Sequence, residues 1–311
     1  MLHGWSAGPF SWQGSLSLQH ELRTGLAVNA AYYRTWYGNF LVTDNLLVGP
    51  EDYDNFCITA PNNGSLPNPG ERVCGLLAIK PAKFGRQDNL VTNAQHYGKQ
   101  SEIHNAVDLT LNARFRDGGL LTGGVSFGKT VFDNCGVLAK LPEMTTAAFG
   151  PLSADAGRAS PQRVCRLDPP LGAESQFKLS GAYGLPWDLR VSANYQNNPG
   201  IDTTATYVAT NAEIAPSLGR DLAAGSRATA NIELINPRSL YREGRINQLN
   251  FAVNRLFRFA GNARIQPRFE LHNALNSAPI LAINPRFGPA WQQVRTVLAP
   301  RLAKFALQID F

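Results

Sequence analysis

Residues Gly123–Thr130 read GGVSFGKT and satisfy G-x-x-x-x-G-K-[ST], the loop whose backbone amides cradle nucleotide phosphates. That chemistry would make the chain a soluble P-loop nucleotide-binding enzyme. It needs a buried strand before the octet and a helix after Lys129-Thr130. The octet instead continues a two-residue alternation. Leu121, Gly123, Val125 and Phe127 share one side; Thr122, Gly124, Ser126, Gly128 and Thr130 share the other. VFDNCGVLAKLPEM, which follows, is no amphipathic helix. The octet therefore reads as a strand with small residues on its wet side, and Lys129 snorkels from the apolar side to an interface.

Other candidate chemistry is sparse. His3, His20, His96, His104 and His272 show no paired ligand spacing, and no G-x-S-x-G elbow occurs. Glu51, Asp52 and Asp54 lack the spacing of a calcium loop and read as loop-folding groups. No enzyme activity, metal or cofactor is expected. The net charge of +6 comes from dispersed Lys and Arg, so no nucleic-acid partner is expected. Cys57 and Cys74 bracket a Pro/Gly/Asn-rich segment, and Cys135 and Cys165 bracket a second irregular one. Both pairs read as disulfides closing long loops in an oxidising compartment.

The elements that would position these residues are long strands. FSWQGSLSLQHEL, AVDLTLNARF, SQFKLSGAYGL, DLRVSANYQ and QLNFAVNRLFRF alternate apolar and polar residues. About 10 residues at ~3.3 Å each, tilted by about 40°, span roughly 25 Å, the apolar height of an outer-membrane barrel. Four connections are tight: LRTG near Arg23, RDGG at Arg116–Gly119, GLPWD at Gly184–Asp188 and FAGNA at Phe259–Ala263. Between them lie long polar loops, roughly 44–98, 136–174, 199–244 and 276–300. Phe115, Tyr183, Trp187, Phe257 and Phe259 adjoin the tight turns, while Phe10, Trp12, Trp36 and Tyr37 stand at the opposite strand ends, as aromatic girdles do. Arg258, Arg264, Arg268 and Glu270 are expected to brace a wet wall by ion pairing, and Pro267 suggests a bulge. Tyr53, Phe56, Tyr97 and Trp291 are loop aromatics able to touch a ligand. The expected fold is an all-β, antiparallel transmembrane β-barrel with long extracellular loops and short periplasmic turns. About nine membrane strands are counted, an odd number where single-chain bacterial barrels are even.

The chain ends RLAKFALQIDF, with Phe305, Leu307, Ile309 and Phe311 on one face. This resembles the C-terminal signature strand read by the barrel-assembly machinery. The region before it carries Asn273, Asn276, Gly288, Trp291, Leu298, Pro300 and Arg301. It is similar to the end of TonB-dependent transporters of the Oar-like group, many of which are named for a carboxypeptidase regulatory-like domain. Tyr33–Phe40, Asp52–Cys57, Cys74–Leu76 and Tyr207–Gly225 also resemble that group. The resemblance implies that residues 1–311 are the C-terminal part of a barrel of about 22 strands, with plug, regulatory-like domain and signal peptide outside the chain. It further implies an outer-membrane location and contact with the TonB complex only through the plug. The loops would meet an unidentified extracellular ligand: a peptide, a glycan or a metal chelate. A non-transporting adhesion or structural barrel would share the same fold.

Overall fold

A computed structural model describes residues 8–116, 118–145, 165–235, 244–259 and 263–311. The chain is all-β and organised around one antiparallel sheet of eleven strands. Nine are long: β1 (Phe10–Arg23), β2 (Leu26–Gly38), β3 (Ser101–Arg114), β4 (Leu120–Asp133), β5 (Gln176–Leu185), β6 (Leu189–Asn198), β7 (Ile246–Arg255), β8 (Arg264–His272) and β9 (Leu302–Asp310). Each pairs with the next in sequence, so they form a meander from β1 to β9. Among the described residues no strand covers the outer edge of β1 or of β9. No described helix is long and apolar enough to cross a membrane.

Register makes the alternation of single strands into two continuous surfaces. Leu18, Ala30, Leu109, Val125 and Phe177 lie side by side across five strands. Tyr183, Val191, Val253, Phe269 and Phe305 do so across the other end. None of these side chains is buried: they range from half-buried to exposed, with Leu18 at 73% and Phe305 at 80%. The opposite face carries the row Asn112, Thr122, Ser180, Asn194 and Asn250. Thr122 Oγ1 donates to Asn112 Oδ1 (2.7 Å) and Asn194 Nδ2 to Ser180 Oγ (2.6 Å). Tyr37, expected in a girdle, lies on this polar face, level with Ser11 and Glu102.

The tight turns all fall at one end of the sheet. Gly25 turns β1 into β2 at φ +83°, where a Cβ would stand 2.6 Å from the Arg114 carbonyl oxygen; only glycine meets both demands. Trp187 and Asp188 are consecutive left-handed residues between β5 and β6, and the Asp188 carboxylate accepts from Arg258 (2.5 Å). Asp117 and residues 260–262 of two other turns lie outside the described residues, as does His3.

Pro267 does not make a bulge. Toward β9 it pairs with Leu307 without a register shift. Toward β7 the ladder stops at Asn254–Arg268 and resumes at Phe257–Ile265 in the same register. The missing proline N–H opens a gap in one ladder rather than inserting a residue.

The buried core lies in the long loops, not in the sheet. Segments expected to be irregular fold into strand pairs: Leu41–Asn45 with Asn89–Asn93, Tyr53–Thr59 with Arg72–Ile79, Thr206–Thr210 with Thr229–Glu233, and Ile280–Ile283 with Val294–Val297. Phe56, Val73 and Leu76 of the first loop bury against Ile214 and Ile232 of the third, and Phe287 and Trp291 of the fourth pack on them. Val42 and Ala94 of the first loop bury against Val137, Leu141 and Met144 of the second.

Candidate functional site: a cleft among the long loops

The first loop is held in shape by its acids. Asp52 Oδ2 accepts from the Gly49 amide (3.0 Å) and pairs with Lys83 (3.1 Å), and the amide hydrogen bond holds its carboxyl below the usual range. Asp54 takes Nη2 of Arg220 at 2.7 Å, and the same nitrogen donates to the Ile79 carbonyl oxygen (3.0 Å), tying the third loop to the first. Glu51 offers its carbonyl oxygen to Lys80 Nζ (2.7 Å). The Asp52 and Asp54 carboxylates are thus engaged by lysine, arginine and amide groups. Among the described residues no three His, Cys, Asp or Glu side chains are grouped to hold a metal ion.

The third loop contributes the helix Asn211–Leu218. Thr210 and Glu213 form its capping box, and Gly219 ends it at φ 76°. Asn211 staples the return segment by donating to the Gly225 carbonyl oxygen (2.9 Å) and accepting from the Leu222 amide (2.9 Å). Glu233, 1% exposed, accepts from the amides of Ala205 (2.7 Å) and Ile235 (3.1 Å). Trp291 Nε1 donates to the Thr204 carbonyl oxygen (2.9 Å), bringing the fourth loop onto the third.

Between these loops lies a cleft of about 620 Å³, within the ~300–1,000 Å³ range of small-molecule sites. The first loop lines it with Tyr53, Ile79 and Arg86, the second with Glu143, and the third with Leu222 and Ala230. Glu143 Oε1 accepts from the Asn45 amide (3.3 Å). Burial raises the Glu143 carboxyl above its ordinary range, and neighbouring Asp44 adds to the rise. Burial, then the charges of Glu143 and Asp52, push Tyr53 up to about 12. Tyr97 donates to Asp44 Oδ2 (2.5 Å) and is pushed up to about 12, first by burial and then by Asp44. The cleft thus sets the Tyr53 phenol, the Glu143 carboxyl and Arg86 beside leucine and alanine side chains.

The loop aromatics expected to touch a ligand have other work. Phe56 is 1% exposed, Trp291 packs on Phe287 at 5.1 Å, and Tyr97 is held by Asp44. Only Tyr53 lines the cleft. Arg86, Glu143 and Leu222 carried no sequence signal, since they come together only when three separate loops fold against one another. Cys57 is bonded to Cys74 across the Tyr53–Thr59 hairpin, and Cys135 to Cys165 in the second loop. Phe305, Leu307, Ile309 and Phe311 share an exposed face, Phe311 wholly so.

The phosphate-loop octet is extended strand throughout, in β4. Gly123–Thr130 pair with β3, and Gly123–Ser126 also with β5, so its amides serve the ladders. Gly124 admits no side chain: a Cβ would stand 2.4 Å from the Leu109 carbonyl oxygen. Lys129 lies on the apolar face and pairs with Asp168 (2.7 Å). His104 and His96 bond Thr130 and Thr92 (3.0 Å each), and His272 meets Glu270 (3.3 Å). Glu270 also takes Arg268 (2.7 Å) and Lys304 (3.6 Å), so the expected bracing forms around that carboxylate, while Arg258 is held by Asp188. Arg264 stands between Arg258 on one side and Asp310 of β9 on the other. Asn273 and Asn276 are left-handed residues that fasten the fourth loop: Asn273 Nδ2 donates to the Ala299 carbonyl oxygen (2.9 Å), and Asn276 Oδ1 accepts from the Arg301 amide (3.0 Å).

Sheet and cleft define the class: an all-β protein with one exposed apolar face, one polar face and folded loops. No protein-family model and no curated protein matches the chain. Among solved structures it is similar to the outer membrane transporter YddB from Escherichia coli, at 9% identity and TM-score 0.47, over 96% of this chain and 32% of that one. It is also similar to a Pseudomonas aeruginosa FadL homologue, at 10% identity and TM-score 0.23, over 97% of this chain and 66% of that one. The chain spans about a third of the length of the Escherichia coli transporter.

Proposed function

We propose that the chain is part of the wall of an outer-membrane β-barrel transporter, and that its long loops form an extracellular cap holding the ligand site. The observation that carries this reading is the register. It makes one apolar surface across nine strands and leaves it uncovered, while the residues that do bury one another lie in the loops. A soluble protein would cover such a surface; a bilayer covers it directly. The polar row through Thr122, Ser180 and Asn194 then faces a wet lumen. The tight turns are periplasmic, and both cysteine pairs lie on the oxidising side.

The free edges of β1 and β9 support the rest. An unpaired strand edge in hydrocarbon leaves amide groups unsatisfied at several kcal/mol each. Further strands of a longer protein complete the wall, and the chain is its C-terminal barrel portion. On this reading Phe305, Leu307, Ile309 and Phe311 address the barrel-assembly machinery. TonB, acting through a plug, would energise uptake of a peptide, glycan or metal chelate that rests in the cleft by Tyr53 and Glu143.

Fractionation with gel mobility before and after heating tests the wall. The expected protein is in the detergent-extracted envelope and migrates faster unheated. Recovery in the soluble fraction, with Mg·ATP bound, would refute the proposal. Ligand uptake that survives loss of TonB would refute the energised transport alone.

A further inference from the structure

A row of the apolar face on β1 to β4 breaks the pattern with charge. Gly14, Arg34, Asn105 and Lys129 stand side by side on β1 to β4. The row on the turn side is Leu16, Tyr32, Val107 and Phe127; the row on the loop side is Trp12, Trp36, Ile103 and Val131. Two cations, about 10 Å apart over two strand spacings, are therefore set between an apolar row and an aromatic one.

Arg34 is exposed, and Nη1 donates to Asn105 Oδ1 (3.4 Å), which also accepts from the Tyr32 hydroxyl (2.7 Å). Among the described residues no carboxylate pairs with it. Beside Arg34, the Cβ position at Gly14 has nothing within 4 Å, and Trp12 (62% exposed) and Leu16 (76%) flank that notch. Farther along the rim, Arg245 donates to Asn197 Oδ1 (2.6 Å) and the Ser175 carbonyl oxygen (2.6 Å), again with no carboxylate among the described residues paired to it. Lys129 and Arg166 share Asp168, and Arg166 also holds Asp133. Among the described residues named here, four cations thus share two carboxylates. An unpaired cation against hydrocarbon is costly, and a rim of them calls for anions at the headgroup level.

Resting on the membrane reading above, we infer that this rim binds the phosphate groups of anionic lipid in the outer leaflet. Arg34, Asn105 and Lys129 take the phosphate oxygens over the Gly14 notch. The acyl chains lie along Leu16, Tyr32, Val107 and Phe127. Arg245 receives a second headgroup on the far side of β5. Arginine suits this role because its planar fork meets two phosphate oxygens at once.

The test uses protein extracted from the envelope in a neutral detergent. It is titrated with phosphatidic acid carrying brominated chains, with diacylglycerol of the same chains, and with inorganic phosphate, reading the quenching of Trp12 and Trp36. Phosphatidic acid should quench saturably, diacylglycerol should bind more weakly, and inorganic phosphate should fail to compete. Arg34→Ala and Lys129→Ala should each weaken phosphatidic acid by about fivefold, and Arg34→Lys should restore most of the loss. Heat-modifiable mobility confirms that each variant is folded, with Arg34→Gln as the alternative. Equal binding of the two lipids, displacement by inorganic phosphate, or unchanged affinity in the variants overturns the lipid site and leaves the membrane reading standing. Absence of the protein from the envelope overturns both.

Discussion

Phe56→Ala tests whether the loops are one folded unit. Phe56 is 1% exposed and lies in a core built jointly by the first, third and fourth loops, with Ile214 and Ile232 fully buried beside it. Truncating a buried phenylalanine costs about 3–5 kcal/mol. At about 1.4 kcal/mol per power of ten, the open population of the cap rises by roughly two to three and a half powers of ten. Where reclosing outpaces cleavage, proteolysis follows that population. Protease added to intact cells should therefore cut the variant faster by a similar factor. The new cuts should appear together near residues 53–79, 206–233 and 285–291, although only residue 56 is changed. The wall should keep its heat-modifiable mobility, because its nine strands share none of that core. Cleavage confined to residues 53–79, or loss of the wall at the same denaturant concentration, would refute the reasoning.

The other predictions concern single contacts. Replacing Cys57 and Cys74 by serine opens a link across 17 residues and should lower cap stability by about 3 kcal/mol on the chain-entropy model; denaturant titration of protease resistance checks this. Burial raises the Glu143 carboxyl, so its contribution to folding is full below the unfolded value and is lost as pH rises through the folded one. Glu143→Gln keeps a neutral acceptor for the Asn45 amide. It should remove that decline and stabilise the cap by roughly 0.5–1.5 kcal/mol near neutral pH, read by thermal melts across pH. Gly124→Ala should cost about 1–3 kcal/mol by forcing β3 and β4 apart, seen as a lower heating temperature for the gel-mobility shift.

The wall was legible because each of its strands states its own faces. A period of two needs no distant partner to be recognised, and the tight turns between strands carry their own glycine and aspartate signals. The loops were not legible for the opposite reason. Phe56, Val73 and Leu76 become a core only against Ile214 and Ile232, which enter from a segment far along the chain. Read locally, Phe56 and Trp291 are exposed aromatics on polar loops. Read together, they are interior. The cleft was equally hidden, since Arg86, Glu143 and Leu222 come from three loops. Tyr37 misled because aromatic identity at a strand end does not fix its face; register does.

The joint core of the loops has a consequence for how the exposed surface of such a protein can change. Antibodies and phages press on outer loops to diversify. Here Phe56, Ile232 and Trp291 hold three loops to one another. A substitution that alters the outline of one loop is felt by its neighbours. Variation is therefore channelled to positions outside that core, such as the exposed residues 62–65 and 68–70 on either side of the buried Leu66, beyond the Cys57–Cys74 link. Recognition of the cap should be conformational: an antibody to the folded surface loses its epitope on reduction, even when the residues it touches belong to a loop without a cysteine.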